Sequence, residues 1–213
     1  MEMNLKNYIK PVSFEATKKI LEQMTNCICK VKNNEKIGTG FFCKIPYKNN
    51  TKINVLITSY QLIDELYLNQ NNQINLLIND YNELKVIYYS QDRKIFSSKN
   101  YNTTIIELHE NDNINNYLEL DDNLFRNDTN YFYQKESLYI LQYLFGGKSS
   151  VSYGIFNELN GSNINHMCMT ESGSNGAPIL NLTNNKVIGI SLETKDNIQF
   201  NKGISLKYPI EEL

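Results

Sequence analysis

No apolar run in this 213-residue chain approaches the roughly 20 residues that a membrane-crossing helix needs, so no transmembrane helix and no membrane partner are expected. The opening stretch MEMNLKNYIKPVSF has neither an uninterrupted apolar segment nor a small-residue cleavage site. That absence argues against a secretory leader and sets the expectation of a cytoplasmic or otherwise intracellular setting. Excess positive charge is missing too. A total of 21 Lys and Arg residues against 23 Asp and Glu leaves a formal net charge of −2, and the lysines are scattered rather than striped. The electrostatic footprint of a nucleic-acid binder is therefore lacking, and no nucleic-acid partner is expected. The four cysteines, Cys27, Cys29, Cys43 and Cys168, contain no CxxC pair and have only two histidines for company. Neither a zinc site nor a redox motif is spelled out, so the cysteines read as buried thiols, with no metal or cofactor.

What remains is ordinary in composition, with 41% hydrophobic and 21% charged residues, and long enough for one domain or two small lobes. Ser13 to Thr25 reads as a helix. Ser13 can cap it, Glu15 lies in the first turn, and Ala16, Ile20, Leu21 and Met24 make an apolar stripe. Residues 1–26 thus form an N-terminal extension. From Cys27 onward, short apolar or alternating runs (CICKVK, GTGFFCKI, INVLITS, INLLI, LKVIYY, TTIIEL, SLYILQY, SVSYGIF, APILNL and KVIGIS) are separated by Asn, Asp and Gly. Such spacing signals an all-β barrel or sandwich, and periodicity alone leaves a single-sheet module open. The most polar link, Glu110 to Asn116, suggests two halves, at about 27–112 and 113–213.

Three segments carry chemical information. GTGFFCKI is followed by NVLITSYQLID; YNTTIIEL comes next; TESGSNGAPILNLTNNKVIG stands near the end. Taken alone, GSNGAP is a tight turn in which Gly173 and Gly176 would supply positive φ. Together and in this order, the segments resemble those that carry His, Asp and Ser in the trypsin-like serine proteases, an order that subtilisins and α/β-hydrolases do not share. The resemblance covers the chain from about Thr25 to the end. It implies a mainly β fold of two six-stranded antiparallel β-barrels, here with a short N-terminal helix ahead of the peptidase domain at 27–213.

The resemblance puts Gln61 in the place of the histidine, Asn102 in that of the aspartate and Asn175 in that of the serine. A carboxamide cannot serve as general base, Asn175 has no hydroxyl or thiol for attack, and Asn102 has no charge to orient or stabilise an imidazolium. The expectation is a degenerate triad and no enzymatic activity. Ser172, Ser174, Cys168, His109 and His166 do not stand in the triad positions, and the histidines read as ordinary polar or core residues. The alternative is a serine-type endopeptidase whose triad was engineered away or is unconventional.

Backbone recognition can outlast lost side chains. The resemblance assigns oxyanion-hole donors to the main chains of Gly173 and Asn175, peptide pairing to a strand edge at Ser191, Leu192 and Glu193, and a place near the base of the first specificity pocket to Met169. The implied role is to bind a protein or peptide partner. Since Asn175 precedes Gly176, slow deamidation at Asn175 is a further expectation.

Overall fold

The computed structural model describes residues 8–33, 36–48, 51–71, 73–80, 83–89, 92–193 and 200–213. The first seven residues, where the reading of the leader begins, lie outside the described residues. Helix α1 (Phe14–Asn26) starts where its cap predicts, with Ser13 Oγ accepting from the Ala16 N–H at 3.1 Å. Its inward face differs from expectation: Leu21 is exposed, whereas Ile20 and Gln23 are buried. At about 100° per residue, positions 16, 20, 23 and 24 share a face that Leu21 leaves. Gln23 is buried without penalty because Tyr139 Oη donates to its Oε1 (2.7 Å) and its Nε2 donates to the Asn185 carbonyl (2.9 Å).

The first half is a curled sheet of strands β1 (Ile28–Asn33), β2 (Lys36–Tyr47), β3 (Thr51–Ser59), β4 (Gln73–Ile78), β5 (Glu83–Tyr88), β6 (Ile95–Ser98) and β7 (Thr103–Glu107), in the order β5-β4-β1-β2-β3-β7-β6. A short strand β8 (Leu118–Glu119) pairs in parallel with β2. The second half consists of β9 (Ser137–Tyr143), β10 (Ser149–Asn160), β11 (Asn163–His166), β12 (Pro178–Asn181), β13 (Lys186–Ser191) and β14 (Asn201–Ser205). These six close into a barrel in the order β10-β11-β14-β13-β12-β9. The architecture is mainly β with a short N-terminal helix, as expected. Closure is the refinement: the second half is a six-stranded barrel, while the first curls with β5 and β6 at its two ends.

Both faces of the first sheet's central strands are buried. Phe41, Cys43 and Ile45 of β2, Val55 and Ile57 of β3 and Ile105 of β7 join a core shared with the closed barrel, including Tyr139, Ile179 and Ile190. The alternate residues Phe42, Leu56 and Ile106 face a second core inside the curl, with Leu76 and Ile87. Apolar burial on two faces explains why GFFCKI and NVLITS read as nearly continuous hydrophobic runs instead of alternating ones. All four cysteines are buried free thiols.

The polar link anchors itself. Glu110–Asp112 forms a single 3-10 turn, and Asp112 is buried against Arg93 in a two-pronged ion pair of 2.7 and 3.0 Å. The chain then returns to the first sheet through β8 before entering the barrel at β9. Among the described residues, no helix is long and apolar enough to cross a membrane.

Candidate functional site

Three loops meet where the two halves face each other. Gln61 lies just beyond β3, in a turn closed by the Leu62 and Ile63 N–H groups on the Ser59 carbonyl. Asn102 sits between β6 and β7 in the left-handed region (φ 45°), a conformation that Asn tolerates better than most residues. Asn175 belongs to the loop leading into β12, flanked by Gly173 (φ 95°) and Gly176 (φ 88°). At both glycines a Cβ would also collide with main chain: with the Tyr143 carbonyl at Gly173 and with the Thr39 carbonyl at Gly176. The GSNGAP segment is therefore a tight turn, and one that packs directly on the opposite half.

The three carboxamides, far apart in sequence, form one hydrogen-bonded chain. The Gln61 main-chain N–H and the Ser59 hydroxyl both donate to Asn102 Oδ1, each at 3.1 Å. Asn102 Nδ2 donates to Asn175 Oδ1 (3.3 Å), and Asn175 Nδ2 donates to Gln61 Oε1 (2.9 Å). The direction of this chain is set by its first link. A main-chain N–H can only donate, so the amide of Asn102 must present its oxygen there and its nitrogen to Asn175. Asn175 must then present oxygen to Asn102 and nitrogen to Gln61, which leaves Gln61 Nε2 at the exposed end. That nitrogen makes no hydrogen bond among the described residues.

The main chain beside Asn175 is arranged differently. The Ser174 N–H is used by the Glu171 carbonyl, the Gly176 N–H by the Ser191 carbonyl, and the Asn175 carbonyl by the Thr39 N–H (3.0 Å). The N–H groups of Gly173 and Asn175 have no partner among the described residues. Two unpaired donors, one on either side of Ser174, are what an oxyanion-binding loop requires.

Two expectations need correction. Met169 is not the floor of an enclosed pocket: it is 64% exposed, because Cys168 takes the inward position and its neighbours Met167 and Met169 point outward, with the Met169 carbonyl held by Gln142 Nε2. Ser191 is not a free strand edge. Its N–H donates to the Ala177 carbonyl (2.7 Å), its carbonyl accepts from Gly176, and the Leu192 N–H is taken by the Lys202 carbonyl. Pairing with an added strand would begin no earlier than the Leu192 carbonyl, and Glu193 ends this described stretch. Leu192 and Glu193 do line a groove of about 400 Å³ with Lys36, Tyr60, Gln61 and Asn102.

Two supporting residues escaped sequence reasoning. Ser59 bridges the Gln61 N–H and Asn102. Thr39 joins the halves: its Oγ1 donates to the Gly173 carbonyl (2.8 Å) and accepts from the Tyr143 N–H (3.1 Å). The only hint of Thr39 was its place between the two glycines of GTGFF.

Ser172 is exposed, whereas three other groups that could carry covalent chemistry, Ser174, Cys168 and His166, are buried. Ser174 is buried and its Oγ accepts from the Glu171 N–H (2.8 Å). Burial pushes the Cys168 thiol up to about 12, far from a reactive thiolate. His166 lies fully buried in β11, where burial lowers its imidazole to about 4 despite contacts from the Lys202 and Cys168 main chains. His109 stands at the start of the Glu110–Asp112 turn, where its main-chain N–H donates to Asp112 Oδ2. Among the described residues, no three His, Cys, Asp or Glu side chains group as a metal site needs.

No protein-family model and no curated protein matches the sequence. Solved structures do match. A serine endoprotease from Yersinia pestis superposes with a TM-score of 0.65 at 12% identity, covering 95% of this chain and 65% of that one. Deg5 gives 0.65 at 16% identity, with 92% and 91% covered. The HtrA-type protease AlgW, solved with a tripeptide, gives 0.65 at 12% identity, with 93% and 62% covered. The chain thus spans less than two thirds of the first and last of these, and it has the fold of the trypsin-like serine proteases.

Proposed function

We propose that this chain is a non-catalytic homologue of the trypsin-like serine proteases that holds a protein or peptide partner without cutting it. The observation that carries the reading is the Gln61–Asn175–Asn102 chain of carboxamides at the place where the fold's proton chemistry would operate. None of the three binds or releases a proton near neutral pH, and none presents a nucleophile. Loss of a whole triad leaves only what binding and the oxyanion hole supply, roughly 10³- to 10⁴-fold over water in a well-studied case.

Binding does not depend on those lost groups. A groove lined by Leu192, Glu193, Gln61 and Asn102 adjoins Asn175 through its side-chain bond to Gln61, and the main-chain N–H groups of Gly173 and Asn175 have no partner among the described residues; such a cleft can take a peptide through main-chain hydrogen bonds. A fluorophosphonate probe should leave the protein unlabelled. Covalent labelling would overturn the proposal in favour of an unconventional endopeptidase. A second measurement tests the scaffold: the triple variant Gln61→His, Asn102→Asp and Asn175→Ser is expected to gain labelling, since the loop already offers unpaired donors for an oxyanion.

A further inference from the structure

We infer that the cleft selects peptides ending in a free α-carboxylate over internal peptide segments, an inference that rests on the peptide-binding reading above. The argument starts from the direction of the carboxamide chain. Because the Gln61 main-chain N–H fixes Asn102, Asn102 fixes Asn175 and Asn175 fixes Gln61, the exposed end is a donor, Gln61 Nε2, and not an acceptor. In a protease-like pose, the group facing the histidine's place is the N–H that follows the carbonyl held by the oxyanion donors. A histidine can accept a hydrogen bond or carry a proton as the reaction demands, but the Gln61 amide turns its oxygen inward to Asn175 Nδ2 and presents its Nε2 donor outward.

An internal peptide would therefore set N–H against N–H at this point, a mismatch that leaves polar groups unpaired on both sides. A terminal carboxylate replaces that N–H with a second oxygen. One oxygen would take the Gly173 and Asn175 N–H groups and the other the Gln61 Nε2 group. The surrounding charge agrees: Lys36 donates to the Gln61 carbonyl at 3.1 Å, and Lys99 lines the same groove. Of the two acidic residues there, Asp64 already caps a neighbouring helix through the Tyr67 N–H (2.7 Å), and Glu193 lies at the Leu192 end.

The test uses two pools of fluorescein-labelled tetrapeptides identical except at the C-terminus, one with a free carboxylate and one with a carboxamide, titrated by fluorescence anisotropy. The expected result is tighter binding of the acid pool by about tenfold or more. The preference should persist at high salt, where diffuse attraction to Lys36 and Lys99 is screened, and its loss there would overturn the inference. The variant Gln61→Glu, which keeps the shape and puts an anion at the exposed end, should lose it. Equal affinity for both pools, or a preference that survives Gln61→Glu, overturns the inference and leaves peptide binding standing. If neither pool binds, the reading of the cleft as a peptide site falls with it.

Discussion

Two polar clusters of this protein are built on opposite principles. Arg93 and Asp112 keep full charges where side chains are only 3% and 5% exposed, whereas the cleft cluster of Gln61, Asn102 and Asn175 contains no charge at all. The buried pair is tolerable because each partner has further hydrogen bonds: Arg93 also donates to the Glu107 carbonyl, leaving its Nε without a partner among the described residues, and Asp112 accepts from the His109 N–H. The cleft cluster needs no ionic desolvation, and its order comes from the direction of donors and acceptors. Charge persists here as a structural clamp and is absent from the three carboxamides that meet in the cleft.

The largest break in that contrast should come from Asp112→Ala. Stranding the Arg93 guanidinium in the interior is expected to cost about 3–5 kcal/mol of stability, read from chemical denaturation. The corresponding truncation in the cleft, Asn102→Ala, should cost less, about 2 kcal/mol, because the buried Ser59 hydroxyl and Asn175 amide that it strands are uncharged and Ala is mildly strained at this left-handed φ. Equal costs would remove the distinction between clamp and relay.

A third buried polar group extends the comparison to pH. Burial holds the His166 imidazole at about 4, below its value of 6.5 in the unfolded chain, so the unfolded state binds the proton more readily. Stability from this source is present above pH 6.5 and is lost as the pH falls towards 4, by about 3 kcal/mol. Urea midpoints measured across that window should fall in the wild type and fall less steeply in His166→Gln.

Asn102→Asp makes a subtler break. Two carboxylate oxygens at position 102 can only accept, so Asn175 must turn its nitrogen towards residue 102 and its oxygen towards Gln61, which must turn in response. The exposed end would become Gln61 Oε1, and discrimination between acid and amide peptides should drop to about onefold, with a stability change of under about 1 kcal/mol. Side-chain amide signals of Gln61 and Asn175 in ¹⁵N spectra would report the reversal. The smallest effect is expected at the Asn175–Gly176 bond. Its Gly176 N–H is bound to the Ser191 carbonyl and the Asn175 amide is engaged at both ends, which reverses the expectation of deamidation drawn from the Asn-Gly pair: aged native protein should keep Asn175, and unfolded protein should convert it to Asp, as read by mass spectrometry.

Much of this architecture was legible because it depends on local pattern. Ser13 marks the start of α1, the apolar runs mark the strands, and the three segments name Gln61, Asn102 and Asn175, which the fold brings into contact. The misreadings share a cause. Spacing gives Leu21 its facing and the resemblance gives Met169 and Ser191 theirs, yet facing is decided by neighbours: the helix stripe through Gln23, the alternation around Cys168, and the hydrogen bonds of Ser191 with Ala177 and Gly176. Ser59 and Thr39 could not be singled out, since a hydroxyl becomes important only when a distant loop arrives beside it.

The residue types alone determined that Gln61, Asn102 and Asn175 have no proton to move near neutral pH, because a carboxamide has the same chemistry in any fold. Tertiary structure decided which way those carboxamides point, how far the strand edge is already paired, and that the second half closes into a barrel while the first curls. Direction has to come from the folded state: an amide offers a donor at one end and an acceptor at the other, and the choice is made by partners such as the Gln61 N–H acting on Asn102, 41 residues away.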